Sequence, residues 1–132
     1  MWGVGTFEND ITLAWFNGIV DNNNIAGIMQ TVNAANTVGV DNLDLNDCYI
    51  ALAAAEIVAA EKNENYKAFP MESVEWFIEN DFPFTKQDEE ACIQLAKQIL
   101  ADSEVKEMYV DSPLFDEWKK SIDLLIAKLG GK

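Results

Sequence analysis

The sequence predicts an all-α fold: a compact orthogonal bundle of about six helices around a buried central helix, residues 47–62, with a non-helical N-terminal segment packed onto it. Three observations carry this. Apolar residues recur with helical spacing in every long segment, and no stretch alternates with period two for long enough to read as a strand. The run DCYIALAAAEIVAAEK is apolar on every side of a helical wheel, which places it in the middle of a fold. Capping residues, Gly and Pro fall between the periodic segments, where helices start and stop.

The opening MWGVGTF is not helical, because Gly3 and Gly5 interrupt it; Trp2, Val4 and Phe7 are apolar anchors expected to pack onto the helices. Gly-Val-Gly resembles the start of a dinucleotide fingerprint, but no strand precedes it and the third Gly is missing. Asn9 or Asp10 caps a first helix over residues 10–20, with Ile11, Trp15, Ile19 and Val20 on its apolar side. A second helix over 24–37 places Ile25, Ile28, Met29, Val32 and Ala35 on one face and stops at Gly39.

Asn46 or Asp47 is the expected cap of the central helix. Its alanines lose no side-chain entropy, and Ala51, Ala55 and Ala59 form a smooth ridge that a neighbour can approach closely. Phe69-Pro70 opens a fourth helix over 70–80, packed through Met71, Val74, Phe77 and Ile78. Thr85 and Asp88 form a capping-box-like start for a fifth over 86–102, with Cys92, Leu95, Ala96, Ile99 and Leu100 inward. Asp102-Ser103 re-caps the chain into a short helical turn ending near Val110. After Ser112-Pro113, the residues Leu114, Phe115, Trp118, Ile122, Leu125, Ile126 and Leu129 form the core stripe of the last helix, ended by Gly130-Gly131. No repeat or linker divides the 132 residues, so one domain is expected.

Composition excludes more than it assigns. The chain has no His and no Arg, and its net charge is −14. Without His there is no Ser-His-Asp or Cys-His catalysis and no imidazole ligand. Without Arg there is no bidentate clamp for phosphate or carboxylate. The acidity opposes nucleic acid and anionic membranes, and the central run is too short and too charged at its ends to span a bilayer. No cofactor, metal or catalytic residue is assigned. Cys48 and Cys92 have apolar neighbours and read as buried free thiols of a reducing compartment. The first ten residues carry no Lys or Arg and no apolar run, so the cytoplasm is expected rather than export.

The acidity is uneven. Every charged residue up to Glu61 is acidic, and all nine Lys come later. General solubility accounts for this, as does an acidic face presented to a basic protein. Asp41, Asp44 and Asp47 line one loop, but the turn Gly and closing Glu of a calcium-binding EF-hand are absent, which favours turn and capping roles. Glu56 is the one charged side chain between Asp47 and Glu61. A carboxylate there needs donors or a cation, or it protonates. It reads as a general acid or base, or as a tether for another segment; the tether is preferred because no second catalytic group is nearby.

The opening Met1-Trp2-Gly3-Val4-Gly5-Thr6-Phe7-Glu8-Asn9-Asp10 resembles the start of an uncharacterised bacterial family, the domain of unknown function 4259. Ala51 to Ala60, Leu100 to Glu104 and the Trp118 helix match it too, so the resemblance spans nearly the whole chain. Family members carry more Arg and longer middle loops. The resemblance implies a small helical bacterial protein and no reaction. It also implies that the chain terminus is fixed in place, so the motif Trp2, Gly3, Gly5, Phe7, Asn9 and Asp10 is expected to fold onto the central helix, with Glu56 accepting hydrogen bonds from it.

Three functions compete. The first is a small protein-binding domain, of inhibitor, immunity or adaptor type, for a basic partner. The second is an enzyme in which Glu56 pairs with Asp10, Asp44 or Asp47 as acid and base or as a hard-metal site. The third is a subunit of a larger assembly, making contacts through exposed Trp76, Phe82 or Phe84. The oligomeric state is not legible in the sequence.

Overall fold

A computed structural model describes residues 10–67 and 69–131. Among these residues there are seven α-helices and no strand. They are α1 (Asp10–Asp21), α2 (Ile25–Val38), α3 (Leu45–Asn63), α4 (Val74–Glu79), α5 (Lys86–Ala101), α6 (Glu104–Val110) and α7 (Phe115–Lys128). The central helix is α3, which packs against α1, α2, α5, α6 and α7. Its side chains from Ala51 to Ala60 are buried on every side except at Glu56, which is half-buried. The all-apolar wheel therefore does what it predicts.

The start of α3 corrects the expected cap. Asp44, not Asn46 or Asp47, is extended there, and its carboxylate accepts the Asp47 amide at 2.8 Å. Asp47 becomes the third helical residue, where a carboxylate meets the positive end of the helix dipole. At the far end Glu64 takes a left-handed conformation, φ 51°, and closes the helix.

Other stop and start signals hold. Gly39 ends α2 at φ 94° with its amide on the Ala35 carbonyl; a Cβ there would press on the Asp41 and Asn42 side chains. The capping box at α5 is complete: the Thr85 amide donates to Asp88 at 2.9 Å, and the Asp88 amide to the Thr85 hydroxyl at 3.1 Å. Ser103 caps α6 by accepting the Lys106 amide at 3.0 Å. Tyr49 of α3 donates to the Tyr109 hydroxyl of α6 at 3.4 Å, and Tyr109 stacks on Trp118 of α7.

Two segments differ from the periodic reading. Pro70 does not open a long helix. The Ser73 amide and hydroxyl both donate to the Pro70 carbonyl, at 3.0 and 2.6 Å, and wind Met71–Ser73 into a 3₁₀ turn before α4. Met71 and Ile78, expected in the core, are 86% and 72% exposed. Phe77 instead anchors α4, ringed by Phe16, Tyr66, Phe69, Trp76 and Phe82. The same cluster turns α1, so that Phe16 and Thr12 are buried while Ile11, Trp15 and Val20 are half-buried. Trp76 meets Phe82 in a T-shaped contact, Phe82 tilts against Phe84, and all three are half-buried rather than exposed; the Trp76 indole donates to Asn23 at 2.9 Å. Aromatic rings gain from such edge and offset contacts beyond their buried area, so they override a simple stripe.

Candidate functional site

The two ends of α3 carry the features that the packing does not consume. At its C-terminal end an open cavity of about 550 Å³ is lined by Glu56, Ala59, Ala60 and Asn63 of α3, Asn65, Lys67 and Phe69 of the following loop, and Leu124 and Lys128 of α7. The small alanines leave the space, and Asn63 holds the walls together: its amide nitrogen donates to the Ala59 carbonyl at 2.8 Å and to the Lys128 carbonyl at 2.9 Å. Burial pushes the Glu56 carboxyl up to about 7, against the opposing pull of the Lys128 ammonium. Near neutral pH this group exchanges a proton readily, which an exposed glutamate does not do.

At the N-terminal end, Asp41, Asp44, Asp47, Asp102 and Glu104 are all exposed. They fall into two groups. Asp41 and Asp102 line one cleft, while Glu104, Asp44 and Asp47 all raise the pKa of the Cys48 thiol beneath them. Beside them runs an apolar groove of about 370 Å³ between α2 and α3, lined by Thr31, Ala34, Ala35, Val38, Leu43, Asp47, Ile50 and Ala51. Val38 in its wall is 54% exposed. The Lys106 ammonium lies at the margin, on the Ala101 carbonyl at 2.8 Å.

The sequence-predicted constellation is divided by this geometry. Glu56 cannot pair with Asp44 or Asp47: at about 1.5 Å of rise per residue they sit roughly 18 and 14 Å away along the helix. Asp10 opens α1 and is exposed, and it does not line the Glu56 cavity. Trp2, Gly3, Gly5, Phe7 and Asn9 lie outside the described residues, and with them the proposed contact between the N-terminal motif and Glu56. Among the described residues no three Asp, Glu or Cys side chains gather closely enough to hold a metal ion. Both cysteines are free and buried. Desolvation, helped by neighbouring carboxylates, pushes Cys48 up to about 11 and Cys92 up to about 12. In the folded state both thiols therefore stay protonated at neutral pH. Sequence reasoning missed Lys67 and Lys128, which line the cavity with Glu56; Lys128 reaches it only through the packing of the last helix.

A family model, "Domain of unknown function (DUF4259)", matches residues 1–121. The chain belongs to this family. No curated protein and no solved structure matches it. The matched span of the DUF4259 model takes in Glu56, Lys67 and the acidic end of α3, and stops between Leu124 and the Trp118 turn of α7. Lys128 therefore lies beyond the matched part of this DUF4259 protein. Among its described residues no helix is long and apolar enough to cross a membrane.

Proposed function

We propose that the protein is a non-catalytic binding domain of the cytoplasm, whose partner is a basic protein docked at the acidic end of α3. One observation carries the reading: the apolar groove between α2 and α3 has the exposed Asp47 in its wall, at the end of α3 that the exposed Asp44 caps. An amphipathic segment bearing Lys or Arg would bury its apolar side against Val38, Leu43 and Ile50 and face its charges to Asp44 and Asp47. The sign is favourable from a distance, because the whole chain carries −14. The cytoplasmic assignment rests on two free thiols, both buried. Trp76, Phe82 and Phe84, the contacts of an assembly role, are half-buried and packed on one another.

The test is a salt-eluted capture from native lysate. It is followed by titration calorimetry of the purified eluted protein against wild type, Val38→Asp and the double variant Asp44→Asn, Asp47→Asn. Affinity that falls steeply with ionic strength, and about tenfold or more with Val38→Asp, supports docking in the groove. Affinity indifferent to salt and to both variants overturns it.

A further inference from the structure

The Glu56 cavity lies at the other end of α3 from the proposed docking surface and is built differently. Its chemistry is mixed and incompletely paired. Among the described residues no donor reaches hydrogen-bond distance of the Glu56 carboxylate, and Lys128 affects it only from beyond ion-pair range. Neither Lys67 nor Lys128 has a carboxylate within ion-pair distance among the described residues, whereas Lys62 nearby is bound to Glu89 at 2.8 Å. Asn63 spends both amide hydrogens on the Ala59 and Lys128 carbonyls, which leaves its oxygen as an acceptor. The remaining lining, Ala59, Ala60, Phe69 and Leu124, is apolar. An occupant that completes these groups needs a multi-hydrogen cation for Glu56 and Asn63, an anion for the two ammoniums, and a small apolar body between or beside them.

We propose that this cavity binds a small apolar α-amino acid, its ammonium on Glu56 and Asn63 and its carboxylate between Lys67 and Lys128. A plain carboxylic acid would satisfy the lysines and set its charge near Glu56. A plain amine would satisfy Glu56 and face two like charges. The zwitterion answers both, and the cavity volume of about 550 Å³ has room for it with water. Binding has a signature of its own. The charged groups lining the cavity are Glu56 of α3, Lys67 of the loop and Lys128 of α7. An ammonium placed on Glu56 favours its ionised form, so the complex releases a fraction of a proton near neutral pH. A carboxylate placed there instead would take one up.

The experiment uses the full chain and three probes of one shape: L-leucine, isocaproate, which lacks the amine, and isoamylamine, which lacks the carboxylate. Calorimetry at pH 7 in two buffers of different ionisation enthalpy reads affinity and proton movement together. The expected result is that L-leucine binds at least about tenfold more tightly than either analogue. It does so with proton release, and Glu56→Gln abolishes the release and weakens binding. Lys128→Met weakens L-leucine and isocaproate but not isoamylamine. Three results would each overturn the proposal: no binding of L-leucine, equal binding of isocaproate, or proton uptake on binding. The comparison of ligands on the wild-type chain stands even where a variant proves unstable.

Discussion

The two ends of α3 hold carboxylates in opposite circumstances. Asp44 and Asp47 are exposed at the amino end, where Asp44 caps the helix, and both add to a negative field. Glu56 sits among buried alanines near the carboxyl end, half-buried at a cavity wall, and its proton affinity is raised toward neutrality. A field needs many exposed charges and tolerates the loss of one. A partly desolvated carboxylate is a single group whose environment sets its chemistry, so one substitution changes it completely. The close-packed middle of α3 joins the two ends.

The strongest way to break this comparison is to loosen the middle. Leu52 is buried between the two ends. Leu52→Ala leaves a cavity there, and a buried Leu→Ala change costs about 2–5 kcal/mol. Urea unfolding should show a lower midpoint with an unchanged slope, and both ends should weaken together. If only one end responds, the helix does not act as one rigid strut.

Next in size is Glu56→Gln. Burial is the larger influence on Glu56 and raises its pKa from 4.5 to about 7 in the folded state. Between those values the folded protein holds a proton that the unfolded chain has lost. The contribution of Glu56 to stability is therefore fully present below pH 4.5, falls as pH rises, and is gone above about 7. Gln cannot ionise, so the variant should lose this slope and melt a few degrees higher than wild type at pH 7.5. Melting curves across the range check it. A lower melting temperature for Glu56→Gln at every pH would instead reveal a favourable partner for the carboxylate and restore the tether reading.

How much of this was legible follows from where the information lies in the chain. The core role of α3 is written in one contiguous stretch, because an all-round apolar wheel permits no surface face. Glu56 stands out for the same reason: the interruption is as local as the pattern. The cap slipped because Asp44, Asn46 and Asp47 are all good capping residues, and backbone geometry, not composition, chooses among them. Met71 and Ile78 were misplaced because helical spacing assumes a continued helix, while Ser73 and Pro70 wind a 3₁₀ turn and Phe77 follows its aromatic neighbours. The cavity was invisible because Glu56 and Lys128 are far apart in the sequence and meet only once α7 packs on α3.

The smallest effect belongs to the acidic end, and its size distinguishes a field from a site. Asp44→Ala removes the acceptor of the Asp47 amide and one charge of five. Loss of such a cap costs about 1 kcal/mol, and less here because water reaches the exposed amide. The first turn of α3 should fray more often, and Cys48 lies directly beneath it, fully buried with its thiol against the Val40 carbonyl. Thiol labelling under native conditions reads this locally. Cys48 should react several-fold faster in Asp44→Ala than in wild type, while Cys92, buried in α5, keeps its rate. Glu56→Gln should change neither. Equal acceleration of both cysteines would mean that Asp44 stabilises the whole bundle and that the amino end of α3 is part of the core rather than a surface laid on it.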